Sequence, residues 1–247
     1  MNDAAIDDIN AKQLWFSAPR RVDVRSVALH KPAKGQVSVR TLCSAISAGT
    51  EMLVYRGQIP QQMALDATLD GLQTQLDYPL QYGYACVGEV TALGSDVDPA
   101  WLGRRVFSFQ PHVSHFVADV GQLIVVPDDI DVEAAVFLAN METAVNLAHD
   151  GAPLLGERVV VLGQGIVGLL LTGVLATCPL TTLCTVDSFD QRRAMSLTLG
   201  ASASVYPVNG LAELSQWINS RQGADLVYEV SGVPEALNTA ISLSGFD

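Results

Sequence analysis

From Val159 to Val186 the chain reads VVVLGQGIVGLLLTGVLATCPLTTLCTV, without one charged residue, yet Gly163, Gly165, Gly168 and Pro179 interrupt it. An apolar run of this length is long enough to cross a bilayer as a single helix. Glycine and proline at these places divide it instead into strand, helix and strand, and a parallel strand buried on both faces has the same hydropathy. Gly163-Gln164-Gly165-Ile166-Val167-Gly168 is a G-x-G-x-x-G placed after the first strand and opening the helix, the context in which that motif carries meaning. The first glycine permits a tight turn, the second lets a pyrophosphate approach the backbone, and the third lets helix and strand pack closely. The free N–H groups at the helix start, Ile166 and Val167 among them, then face phosphate.

Beyond this unit the alternation continues. TTLCTVD, SASVYP and ADLVYEVSG read as strands, and DQRRAMSLTLG, LAELSQWINSRQ and PEALNTAISLS as helices, the pattern of a doubly wound parallel sheet. Asp187 closes the second strand, where a carboxylate accepts hydrogen bonds from an adenosine ribose and repels a 2′-phosphate. NAD is therefore expected over NADP, with Arg192 and Arg193 close enough in sequence to soften the preference. Ser231 and Gly232 end the fourth strand at the ligand-facing edge. They read equally as cofactor contacts and as plain turn residues.

The first half has another rhythm. QLWFSAP, RVDVRSVAL, QVSVRTLCSAI, ACVGEVTAL, RRVFSFQ and QLIVVP are short β-branched or alternating stretches separated by Gly, Pro and Asp, which predicts a small barrel-like β domain. Met63, Leu65, Leu69, Leu72 and Leu76 recur at near-helical spacing and predict a short helix between Glu51 and Gly83. VEAAVFLANMETAVNLAHD predicts two helical stretches leading into Gly151-Ala152-Pro153, which sets the domains at 1–150 and 151–247. The 26 acidic residues against 14 basic ones, a net charge of −12, argue against a nucleic-acid or anionic-membrane partner. The acidic, polar N-terminus MNDAAIDDIN is no signal peptide. Cys43, Cys86, Cys178 and Cys184 lack metal or redox spacing and read as buried reduced thiols, so a cytoplasmic protein is expected.

SAISAGTE at 44–51, YPLQYGYACVGEV at 78–90, GRRVFSF at 103–109 and VVVLGQGIVG at 159–168 together resemble the medium-chain dehydrogenase/reductase superfamily, in its zinc-type alcohol dehydrogenase-like branch. With NMETA, they are similar to a subgroup that includes bacteriochlorophyllide dehydrogenase-like proteins. The resemblance implies an α/β protein: a β-rich GroES-like catalytic domain, then a Rossmann domain. The family's zinc-binding cysteine falls on Ser47 and its histidine on Tyr84, while the third ligand's place falls around Leu138 and Ala139, with Glu142 out of register. Hydroxyl and apolar groups are poor zinc ligands, so no zinc is expected. His112 and His115 form an H-x-x-H that reads as structural or solvent-facing ahead of metal-binding.

Without a metal, a positioned acid must polarise the reacting carbon–oxygen bond. Tyr84 is the first candidate, although a packed aromatic is the competing reading. Thr50 matches the family's proton-relay hydroxyl and Glu51 its acid beside the metal site. The segment 52–82 either walls a pocket for a hydrophobic small molecule or is a surface excursion. The chain stops after the helix that follows the fourth strand, where the resemblance implies further strands and the segment that makes a homodimer. It therefore reads as C-terminally truncated, its Rossmann domain incomplete. Two functions follow: a zinc-independent oxidoreductase moving hydride between NAD(H) and a secondary alcohol/ketone or activated alkene, or a degenerate nucleotide-binding protein without turnover.

Overall fold

The computed structural model describes residues 9–59, 77–208, 210–218 and 223–245. Two compact units divide it, 1–139 and 140–247. The helix expected over Met63–Leu76 lies outside the described residues.

In the first unit β1 (Ile9–Ala18) and β2 (Arg21–Leu29) form an antiparallel hairpin. Next come β3 (Gln36–Ser44), α1 (Thr50–Arg56), β4 (Cys86–Leu93), β5 (Arg105–Ser108), β6 (His115–Asp119) and β7 (Ile124–Val125). The five strands pair as an antiparallel sheet in the order β6-β3-β4-β5-β7. Register shifts at Ser38/Val39 and Thr41/Cys43 bend β3 against β4, the irregularity that lets a sheet curl toward a barrel. Alternation buries both faces of β4. Cys86 and Val90 pack with Val37, Val39 and Val106, and Val87 packs with Phe107, Val126 and Val136. The strand β6 was not among the stretches expected, and the one expected over QLIVVP contracts to two residues.

Two helices, α2 (Val132–Ala135) and α3 (Leu138–Gly151), follow. The units divide at Ala139/Asn140, upstream of the expected 150/151. The reason is packing: Ala144 and Ala148 of α3 share a core with Val159, Val161 and Leu171. The glycine-proline cluster marks where the helix ends, not where the core changes.

The second unit alternates β8 (Arg158–Leu162), α4 (Ile166–Leu175), β9 (Thr182–Val186), α5 (Asp190–Thr198), β10 (Ala203–Val205), α6 (Leu211–Trp217), β11 (Leu226–Glu229) and α7 (Ala236–Leu243). All four strands are parallel, in the order β10-β9-β8-β11. The chain thus winds outward from β8 and then returns to its other side, which places a switch point between β8 and β11, where this architecture binds its ligands. Val159 and Val161 face the core shared with α3 and α4, whereas Val160 and Leu162 face Leu214, Ala240 and Leu243 of α6 and α7. Burial on both faces explains the uncharged run. Among the described residues no helix is long and apolar enough to cross a membrane.

Candidate active site

At the carboxyl ends of β8, β9 and β11 lies a cleft of about 320 Å³ whose walls include Gly163, Asp187, Phe189, Arg192, Ser231 and Glu235. Gly163 has φ +92°, and a Cβ there would stand 2.4 Å from Ser231 Cα. A Cβ on Gly168 would stand 2.0 Å from the Gly163 carbonyl oxygen, so helix and turn touch through bare backbone. Gly165 caps α4 and has open space where its side chain would be. The three glycines thus do three different things: turn, leave room, and pack. Ile166 and Val167 begin α4, whose first N–H groups have no partner within the helix.

Asp187 is 8% exposed, and its carboxylate is already half engaged. Oδ2 accepts the Gln164 N–H at 2.7 Å and Oδ1 the Phe189 N–H at 2.8 Å. Each oxygen keeps a lone pair for a ligand hydroxyl. Arg192 Nη1 lies 3.7 Å from Oδ2, and its guanidinium sits 4.6 Å over the Phe189 ring. Ser231 shapes the turn and also borders the cleft. Its hydroxyl donates to Glu229 Oε1 and accepts the Val233 N–H at 3.0 Å, which builds the turn, and it also lines the cleft. Gly232 adopts φ +69° in that turn and is not among the cleft's walls. Phe189 was not singled out from sequence. An exposed aromatic two residues beyond a strand-end acid was the available signal.

In the first unit a hydrogen-bonded cluster gathers where β3 runs into α1. The Tyr84 hydroxyl donates to Ser47 Oγ at 2.5 Å. The Ser47 N–H donates to Glu51 Oε1 at 2.7 Å, and the Glu51 N–H returns to the Ser47 carbonyl at 2.9 Å. Glu51 is 3% exposed and needs a partner for its charge. That partner is His112, whose Nε2 lies 2.8 Å from Glu51 Oε2. Its Nδ1 lies 2.9 Å from Ser44 Oγ. The neutral tautomer protonated at Nε2 satisfies both contacts, with Ser44 donating to Nδ1.

Tyr84 also packs as an aromatic, edge-on to Tyr82 with ring centroids 6.1 Å apart, so its ring packs while its hydroxyl bonds Ser47. Thr50 opens α1, but among the described residues no hydrogen bond joins its hydroxyl to the cluster.

These groups do not suit zinc. The hydroxyls of Ser47 and Tyr84 are bonded to each other, and Leu138 and Ala139 offer no donor atom. Among the described residues no three His, Cys, Asp or Glu side chains gather to hold a metal. The H-x-x-H separates: His112 turns onto Glu51, while His115 in β6 bonds Ser114 Oγ at 3.1 Å. Burial, then the Arg40 charge, lower the His115 pKa. All four cysteines are free thiols, and burial pushes Cys86 and Cys184 up to about 11.

No protein-family model matches the chain. In sequence it is similar to L-idonate 5-dehydrogenase (NAD(P)(+)) of Escherichia coli K12, 24% identical over 139 residues covering 54% of this chain and 40% of that protein. It is also similar to 2-desacetyl-2-hydroxyethyl bacteriochlorophyllide A dehydrogenase of Cereibacter sphaeroides, 35% identical over 92 residues, 37% of this chain and 25% of that protein. Each match spans less than half of the relative's length. In structure it is similar to a "short chain alcohol dehydrogenase" of Escherichia coli CFT073 complexed with NADH, with TM-score 0.76, 19% identity and coverage of 95% of this chain and 73% of that one. An alcohol dehydrogenase zinc-binding domain protein of Burkholderia ambifaria gives TM-score 0.74 and 18% identity, covering 97% of this chain and 75% of that one. Relatives and structural neighbours agree: the chain is similar in sequence to these dehydrogenases and shares the fold of the alcohol dehydrogenase structures.

Proposed function

We propose that the protein is an oxidoreductase that moves hydride between NAD(H) and a secondary alcohol/ketone, or an activated alkene, without catalytic zinc. The observation that carries this reading is the cleft at the carboxyl ends of β8, β9 and β11, with Gly163 and Asp187 at its wall and the three glycines of the turn in three distinct roles. When bound, the nicotinamide cofactor supplies the hydride acceptor or donor. Asp187 holds the ribose hydroxyls through its remaining lone pairs, and the N–H groups at the start of α4 hold the pyrophosphate. NAD is favoured over NADP because Asp187 and Glu235 both present carboxylates to the cleft. Arg192 is tied to Asp187 and stacked on Phe189, so it does not offset them.

The chemistry at the carbon–oxygen bond falls to the hydroxyl pair. Tyr84 donates into Ser47, which leaves the Ser47 proton free to donate to a substrate oxygen, and reversal of the pair frees the phenol proton instead. Either way a preset O–H meets the negative charge that develops on that oxygen, an effect that typically contributes ~10²–10⁴-fold. Glu51 fixes the Ser47 amide, and Thr50 stands beside it as an auxiliary hydroxyl. The substrate is a small hydrophobic molecule, and the protein acts in the cytoplasm as a homodimer.

NADH oxidation measured against a panel of carbonyl and enone substrates, alongside NADH binding, tests the proposal. Binding with turnover supports it. Binding without turnover favours a nucleotide-binding protein that has lost its reaction, a reading consistent with the absence of zinc ligands at Ser47 and Tyr84.

A further inference from the structure

We propose that His112 is a positioning residue that sets both hydroxyls of the Tyr84–Ser47 pair from one rigid point. This rests on the oxidoreductase reading of that pair. Two arms leave the same ring. Through the first, Nε2 holds Glu51 Oε2 at 2.8 Å, and the other carboxylate oxygen holds the Ser47 N–H at 2.7 Å. The second is steric. Gly83 has φ +130°, and a Cβ there would stand 3.1 Å from His112 Nε2 and 3.2 Å from Cδ2, so the imidazole occupies the space beside the backbone just before Tyr84.

The ring itself is anchored. Its side chain is 13% exposed, and Ser44 Oγ holds Nδ1 at 2.9 Å. The His112 carbonyl accepts the Leu14 N–H of β1 at 3.0 Å, and Ser114 and Lys12 exchange bonds of 2.8 Å in both directions. A 2.5 Å hydroxyl contact between segments as far apart in sequence as Ser47 and Tyr84 needs such a common reference, because small shifts of either backbone would open it.

The test compares two amides of similar polarity at this site. His112→Gln places a donor where Nε2 stands and keeps Glu51 held. His112→Asn places its donor at the Nδ1 position and releases Glu51. We expect kcat to fall at least about tenfold in His112→Asn and to stay within about threefold of wild type in His112→Gln, with NADH affinity unchanged in both. The ¹³Cζ resonance of ring-labelled Tyr84, assigned by its loss in Tyr84→Phe, should move in the Asn variant and hold in the Gln variant. This readout needs no turnover, so it still decides the positioning role if the wild type binds NADH but proves inactive. Asn and Gln variants alike in both kcat and resonance, differing from wild type in melting temperature only, overturn the proposal.

Discussion

The Tyr84 hydroxyl rests 2.5 Å from Ser47 Oγ, two hydroxyls standing where zinc-type relatives are expected to place thiolate and imidazole. Tyr84→Phe keeps the ring in its packing and removes one of them. It should lower kcat at least about tenfold with NADH affinity unchanged, and Ser47→Ala should do the same. Steady-state kinetics with a parallel binding titration checks both variants. Unchanged kcat in Tyr84→Phe would return that side chain to a packing role and make Thr50 the hydroxyl to test.

Activity should survive chelators, and elemental analysis should find no stoichiometric zinc. A metal at Ser47 and Tyr84 would have to break their mutual hydrogen bond and accept two weak ligands in exchange. Loss of turnover on metal removal, restored by zinc, would reject the hydroxyl mechanism.

Cofactor choice should follow the Asp187 charge. Asp187→Asn keeps one acceptor oxygen for the Gln164 or Phe189 amide, so it removes the charge with little change to the turn. The NAD-over-NADP preference should narrow by ~1–3 kcal/mol, the range for hydrogen bonds to charged groups. Titration of both dinucleotides into wild type and variant measures it. Tighter NADP binding by the wild type would sink the idea.

Tyr228 supplies a stability prediction. Its hydroxyl is buried without a hydrogen-bond partner among the described residues, pressed where a Cβ on Gly151 would stand 2.1 Å away. Burial pushes its phenol up to about 12. Tyr228→Phe removes an unsatisfied donor and keeps the ring, so thermal unfolding should show stability unchanged or raised by about 1 kcal/mol.

Arg158 and Asp225 tie the starts of β8 and β11 by paired bonds of 2.7 and 2.8 Å. The side-chain bond from Arg158 holds the Asp225 carboxyl down to about 2. A carboxyl with a folded pKa below its unfolded ~3.9 adds stability that is full above that value. The contribution is lost as pH falls toward 2. Asp225→Asn should therefore melt earlier at pH 7, by about 1 kcal/mol for a pair so open to solvent, and no earlier than wild type near pH 2.

The second unit was legible because one strand-helix repeat governs it: glycines with distinct steric duties and strands buried on both faces leave little freedom in VVVLGQGIVG. Ser47 and Tyr84 were read as falling on ligand positions and Glu51 as matching the acid beside them, but their bonding was not legible, because it joins β3, α1 and the chain before β4 through a fold that local periodicity does not encode. His112 was hidden for the same reason. Its partner Glu51 is remote in sequence, and the H-x-x-H with His115 read as structural or solvent-facing, which pointed to no buried acid. The expected boundary and the division into compact units differ because α3 contributes alanines, which carry a weak hydrophobic signal, to the core of the second unit.

The alternating burial of β8 divides its residues into two groups that do not share neighbours. A volume change at Val160 is felt by α6 and α7, and one at Val161 by α3 and α4. Adjacent positions on this strand should therefore tolerate substitution independently, with near-additive effects, whereas Val159 and Val161, two apart, should couple. Repair of a damaged residue here comes from across the sheet face it shares, never from the residue beside it in sequence.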